Sequence, residues 1–284
     1  MSIHHHLLSA AYRPIRFAKT VAGFFGRTEA DRLRVLLYHD IAPADQAQFA
    51  AQLRWLAREW TFASPERFAA MMSGAEPVRG SNLLLTFDDG FASNRKVAEE
   101  ILGPMGIRAL FFVVSDFVDL TDGRVARDFV SRNIQPGNPL ERISPHLRNM
   151  TWSDLESLLE QGHMIGAHTR THARLSQVAE SGLESEIVSC GDTLERRLGV
   201  PIEHFAYTFG DLASFGAKPF AIARSRYRFI YSGLRGDNAG KISPFALRRD
   251  AISAQDAPAL LGAFLEGAAD FRYARSRAVL DSWV

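Results

Sequence analysis

Short apolar runs alternate along this chain with longer stretches of helical period. Residues 34–38, 82–87, 107–114, 163–167, 204–208, 227–231 and 247–252 carry the strand-like runs, rich in Leu, Ile, Val and Phe. Between them, residues 46–59, 91–102, 152–161, 181–198, 214–225 and 256–267 repeat apolar positions at helical spacing. This alternation predicts an α/β fold with a parallel sheet, most simply a barrel. Residues 116–150 break the rhythm with Thr121-Asp122-Gly123, Pro136-Gly137-Asn138-Pro139 and Ser144-Pro145, all loop signals. Such an excursion can shape substrate choice above an active face, or be a variable surface loop.

Composition bounds the functions open to such a chain. With 284 residues, 46% of them hydrophobic, and a net charge of +1, it is long enough for one large core and lacks the charge of a polyanion-binding surface. Nucleic acid is therefore not an expected partner. A single cysteine, Cys190, excludes an intramolecular disulfide, and its amphipathic surroundings make it a small buried residue. Residues 13–27 mix basic and apolar side chains without a secretory cleavage pattern or an uninterrupted apolar span. Residues 1–32 are expected to form an extension, packed on the barrel or lying shallowly at a membrane surface, and 33–284 the catalytic domain. The expected location is the cytoplasm, and the second of these two readings of the extension adds peripheral contact at the inner membrane face.

Chemistry concentrates at two strand ends. Leu83-Leu84-Leu85 runs into Thr86-Phe87-Asp88-Asp89-Gly90, and Met164-Ile165-Gly166-Ala167 into His168-Thr169-Arg170-Thr171-His172. Placed at the carboxyl ends of parallel strands, these polar groups would converge on one face. Two imidazoles and one carboxylate suit a divalent transition metal and leave a coordination position open. Histidines four apart also occur in helical zinc motifs, but there a glutamate follows the first histidine, and here Thr169 does. The aspartate pair supplies the missing base: one carboxylate binds the metal while its neighbour takes a proton from water activated there. Alone, Asp-Asp-Gly is a common turn and His-x3-His arises by accident; their conjunction carries the weight.

These strings resemble the polysaccharide deacetylase family, also called the NodB-homology or carbohydrate esterase 4 group. In that resemblance Asp88 is the catalytic base and Asp89, His168 and His172 are metal ligands. Met150-Thr151-Trp152-Ser153-Asp154-Leu155 and Gly162-His163-Met164-Ile165-Gly166 look like the helix and strand before the second motif. Phe205-Ala206-Tyr207-Thr208-Phe209-Gly210 is similar to the family's Phe-Ala-Tyr-Pro-Phe/Tyr-Gly, which implies that the Phe209 N–H helps bind the oxyanion. Thr208 departs from the proline of that motif and does not enforce its φ. No histidine follows His204, so the C-terminal general acid of many members is missing. Val35-Leu36-Leu37-Tyr38-His39-Asp40 instead resembles the circularly permuted subgroup, making His39 the candidate acid with Asp40 as a contributor to its charge balance. Leu247-Arg248-Arg249-Asp250-Ala251-Ile252 resembles a late segment of the subgroup; Arg249 would pair with Asp88 or form a structural ion pair. Trp152 is either a sugar-stacking platform or packs on the barrel.

The resemblance covers roughly residues 33–265 and implies a distorted, incomplete (β/α)7-type barrel, NodB-like. It implies a metal-dependent N-deacetylase of an N-acetylated sugar, small or lipid-linked, in bacterial surface polysaccharide or glycolipid assembly. Zinc is the first choice of metal, with cobalt, nickel or iron as alternatives. O-deacetylation or N-deformylation would use the same site, and a silent carbohydrate-binding or assembly protein would keep the scaffold without turnover. Of the other histidines, His163 is expected as a partly cationic ring at a helix C-terminus, and His146 and His204 as surface residues. His4-His5-His6 is a poor place for a defined metal site.

Overall fold

The computed structural model describes Tyr12, Pro14 and residues 30–284. The expected extension over residues 1–32, its membrane contact and the His4-His5-His6 tract lie almost wholly outside the described residues. Among the described residues eight strands form one parallel sheet: β1 (Arg32–Tyr38), β2 (Thr61–Phe62), β3 (Ser81–Phe87), β4 (Leu110–Val113), β5 (Met164–Ala167), β6 (His204–Ala206), β7 (Phe229–Tyr231) and β8 (Asp250–Ala251). Their order is β7-β6-β5-β4-β3-β1-β8, with β2 beside β3. The α-helices within residues 30–284 are α1 (Gln46–Leu56), α2 (Pro65–Ser73), α3 (Ala92–Val97), α4 (Gly123–Phe129), α5 (Trp152–Glu160), α6 (Glu180–Leu198), α7 (Ala217–Arg226), α8 (Pro258–Leu265) and α9 (Ala274–Asp281).

The seven-strand circuit closes weakly. Leu247 bridges Tyr231 of β7, and three residues later β8 pairs with β1 through Leu36↔Asp250 and Leu37↔Ala251. The expected strand over 247–252 thus shrinks to two residues, because one edge of this segment binds β7 and the other β1 in succession: Ser232 N–H donates to Leu247 O and Ile252 N–H to Leu37 O. That economy of pairing is the distortion and incompleteness expected of the barrel.

Alternation along the strands sorts the core into two faces. Leu36, Tyr38, Leu85, Phe87, Phe111, Val113, Ile165 and Phe205 pack outward against the helices. Leu33, Val35, Leu84, Leu110, Phe112, Ala206 and Tyr231 turn to the other face, where Phe68 and Met71 of α2 join them. Helix α2 starts on Ser64, whose hydroxyl accepts from Arg67 N–H, with Pro65 as its first residue, and ends on Gly74 at φ +78°. Residues 61–73, unassigned from sequence, thus hold β2 and α2.

The excursion is not a bare loop. It contains α4, running on into a wider turn over Val130–Ile134, and its own apolar cluster of Phe91, Phe117, Ala126, Val130, Ile134, Ile143 and Leu147. A small core of this kind fixes the segment over the carboxyl ends of β3 and β5, and its contacts below place it in the site.

Candidate active site

Strand β3 delivers the first two side chains. Tyr38↔Phe87 is the last pair between β1 and β3, and Asp88 N–H donates to Tyr38 O at 2.9 Å, so His39 and Asp88 leave the sheet side by side. The chain then turns sharply, with Asp89 at φ +77° and Gly90 at φ +92°. This turn gives the neighbouring carboxylates different main partners, with His168 Nε2 within reach of both, 3.6 Å from Asp88 Oδ2 and 3.5 Å from Asp89 Oδ1. Asp88 receives Arg249 Nη1 at 2.7 Å and Nη2 at 3.0 Å, a buried bidentate pair. The same guanidinium donates from Nε to Ser232 O and lies over the Phe112 ring at 5.2 Å, reaching along the inner face of the barrel. Asp89 turns to the two histidines.

His168 and His172 are aimed by the backbone. His168 Nδ1 donates to Ala206 O at 2.9 Å and His172 Nδ1 to Asn133 O at 2.8 Å. A carbonyl oxygen only accepts, so each neutral imidazole carries its lone pair on Nε2. Those Nε2 atoms face Asp89 Oδ1 at 3.5 Å and 3.3 Å. Asp89 Oδ1 is buried and has no hydrogen-bond partner among the described residues. Burial would raise the Asp89 carboxyl, yet with a proton on Nε2 in place of a metal ion the facing imidazoles of His168 and His172 hold it well below the usual carboxylate range. Burial would likewise depress His172, and the Asp89 carboxylate outweighs it and raises the imidazole.

This donor set fits a metal ion. One carboxylate oxygen and two imidazole nitrogens lie within 4.8 Å of one another. Bonds of about 2.1 Å in a tetrahedral arrangement would separate the ligand atoms by about 3.4 Å, close to the spacings found. The orphaned oxygen and two fixed lone pairs are what a cation would satisfy. Imidazole and carboxylate donors suit zinc, cobalt, nickel and iron alike.

Two residues that sequence reasoning missed shape the loop between the histidines. Thr169 and His172 both have left-handed φ, +61° and +62°, a conformation that must be held from outside. Glu186 of α6, 6% exposed, accepts from both the N–H and the hydroxyl of Thr171 at 2.9 Å. Asn133, from the excursion, adds a side-chain bond to Thr171 O at 2.9 Å while its own carbonyl orients His172. No sequence signal marks Asn133, whose carbonyl is generic.

Phe209 closes the far side. It also has left-handed φ, +61°, and its ring meets the His172 ring edge-on at 4.8 Å. Among the described residues its N–H has no acceptor. The Gly210 that follows lies so close to Gly233 that a Cβ would stand 2.7 Å from its backbone, which requires glycine there. His39 is exposed at the mouth, near enough to Asp89 for its charge to count. All seven expected residues, Asp88, Asp89, His168, His172, His39, Phe209 and Arg249, are thus brought together.

Other expectations change. Asp40 does not serve His39: its carboxylate accepts from Ser93 Oγ at 2.6 Å and meets His146 Nε2 at 2.8 Å, so half-buried His146 ties the excursion to the β1 loop. His204 is buried, stacked on Phe229 at 4.7 Å and bonded to the Tyr231 hydroxyl, and burial pushes its pKa down to about 3. His163 is also neutral rather than cationic; burial lowers it to about 4, and Nδ1 accepts from Ala109 N–H. Trp152 packs at the start of α5 beneath the Arg197 guanidinium of α6, the barrel-packing role. Tyr38 packs as well, and Cys190 is buried as expected.

Comparison with known proteins adds an independent line. The family model described as polysaccharide deacetylase matches residues 75–218, half of the chain. YxkH of Bacillus subtilis (strain 168), whose name places it among the polysaccharide deacetylases, is 19% identical over 241 residues, 83% of this chain and 76% of that protein. Among solved structures, IcaB from Ammonifex degensii superposes with a TM-score of 0.66 at 22% identity, covering 84% of this chain and 98% of its own. The Streptococcus pyogenes deacetylase PplD, solved with acetate, gives 0.63 at 20% identity, covering 82% and 97%.

Proposed function

The chain belongs to the polysaccharide deacetylase family, and we propose that it is a metal-dependent N-deacetylase of an N-acetylated sugar in bacterial surface polysaccharide or glycolipid assembly. One observation carries this reading: the buried, unpartnered Asp89 oxygen faced by two imidazoles whose Nε2 lone pairs are fixed by backbone carbonyls. Asp89, His168 and His172 would hold a divalent ion, zinc in the first instance. Bound there, it supplies Lewis acidity for activating water and polarising the acyl carbonyl.

The remaining residues divide the proton and charge handling. Asp88, held by Arg249 at both oxygens, takes the proton of the attacking water. The free Phe209 N–H meets the oxyanion that develops as the carbonyl carbon becomes tetrahedral. His39, exposed beside Asp88, protonates the leaving amine as the carbon–nitrogen bond breaks. The acetate bound in the similar PplD structure favours an acetyl group as the one removed.

The substrate we assign is small or lipid-linked and met in the cytoplasm, at the inner membrane face; the basic and apolar residues 13–27 are the ground for that location. The test is acyl release from sugar nucleotides, lipid-linked sugars and chito-oligosaccharides by stripped protein, before and after metal is restored. Acetate from an N-acetylated sugar, only after reconstitution and abolished in Asp88→Asn, is the expected result. Formate release, or turnover of esters alone, would redirect the assignment within the same site. No acyl release with any metal, with sugar still bound, would leave a silent scaffold.

A further inference from the structure

We infer that Thr208 is a positioning residue, whose hydroxyl couples the loop after β6 to the histidine loop and so sets the direction of the Phe209 N–H. This rests on the reading of that N–H as the oxyanion donor. Thr208 stands where the motif resembled has proline, so its ring-free backbone must be held by something else. It is 1% exposed, and Oγ1 donates to Ala173 O at 2.6 Å, directly after the ligand candidate His172.

The next peptide is fixed at its carbonyl. Thr208 O accepts from Gly210 N–H at 2.7 Å and lies 3.1 Å from Ser214 Oγ, whose single proton it shares with the nearer Asp211 O at 2.6 Å. A peptide unit is planar and trans, so holding the oxygen of residue 208 aims the N–H of residue 209 the opposite way. With its carbonyl turned to Gly210 and Ser214, the unit presents the Phe209 N–H without an acceptor among the described residues. The hydroxyl bond then sets where this plane sits relative to His172. It is the buried link of a longer seam, for Ser176 Oγ donates to Ala213 O and Arg174 lies both near Asp211 and over the Phe209 ring at 4.4 Å. Those outer links would keep the two loops together if the Thr208 hydroxyl were lost, so its loss should displace the amide rather than unfold the loop.

Thr208→Val removes the hydroxyl at nearly constant shape, and Thr208→Ser restores it without the methyl. Thr208→Val should lower kcat by roughly tenfold to a hundredfold, as misplacing one oxyanion donor implies, with KM changed less than about twofold. Thr208→Ser should stay near wild type. Amide exchange over residues 205–211 should be faster in Thr208→Val and at the wild-type rate in Thr208→Ser, a readout that needs no turnover. Wild-type kcat in Thr208→Val, a loss confined to KM, or equal exchange in the two variants would overturn the inference. If the wild type itself releases no acyl group, the functional reading fails separately, and the exchange comparison still decides whether the hydroxyl positions the loop.

Discussion

Glu186 grips Thr171 twice, at the backbone N–H and at the hydroxyl, both at 2.9 Å, although neither residue reaches the candidate metal site. Thr171 lies between His168 and His172, and its neighbours on both sides of the turn include left-handed residues that cost on the order of 1–3 kcal/mol each to hold. Glu186→Ala should therefore weaken zinc binding by about tenfold to a hundredfold, the usual effect of removing a group that orients ligands. Glu186→Gln, which keeps a carbonyl acceptor, should fall between. Chelator competition on folded protein measures this; an unchanged affinity in Glu186→Ala would show that the turn holds itself.

His39 should matter most where the leaving group is a poor one. His39→Ala is expected to keep metal and fold but lower turnover of an amide by about 10² to 10⁴, the range for general acid–base catalysis. Esters should lose less, since an alkoxide departs more readily than an amine without prior protonation. Equal losses on matched amide and ester substrates would assign His39 to binding or support.

Arg249 and Asp88 form a buried, bidentate pair, 0% and 2% exposed. Arg249→Met should destabilise the protein by about 3–5 kcal/mol, because it strands a buried carboxylate. Arg249→Lys should lose activity even where stability is largely kept, since an ammonium does not replace a two-pronged guanidinium. Denaturant unfolding and turnover, read side by side, separate the two effects.

Acid should unfold the protein partly through histidines that play no catalytic part. His204 and His163 are pushed to about 3 and about 4, below their ordinary value of 6.5. The unfolded chain then binds more protons between those values, so stability is complete above about pH 6.5 and falls as the pH drops towards 4 and 3. Thermal melts of metal-free protein across this window should show that slope, and His204→Phe should flatten it whatever its stability at pH 7.5. An unchanged slope in the variant would place the acid sensitivity elsewhere.

What the sequence made legible follows from where the information lies. Leu83–Leu85 and Met164–Ala167 are apolar because buried strands demand it, and the polar residues that end them mark the functional edge, so Asp88, Asp89, His168 and His172 stood out. Glu186 did not, because a glutamate in an amphipathic helix reads as solvent-facing, and only packing shows that it is buried. Strand β2, two residues long, is too short to show a period, and β8 was legible only as part of the longer run over 247–252. His204 looked exposed beside Glu203, but a strand's first residue can still face the core. For α4 a signal existed: Ala126, Val130 and Ile134 recur at helical spacing, masked by the turn residues around them.

The most direct test of the account is the metal content and turnover of Asp88→Asn beside Asp89→Ala, with His172→Ala as a second ligand control. The account predicts that Asp88→Asn retains the metal and loses nearly all acyl release, while Asp89→Ala and His172→Ala lose metal and activity together. Metal lost from Asp88→Asn and kept by Asp89→Ala would reverse the roles of the two neighbours and contradict the account.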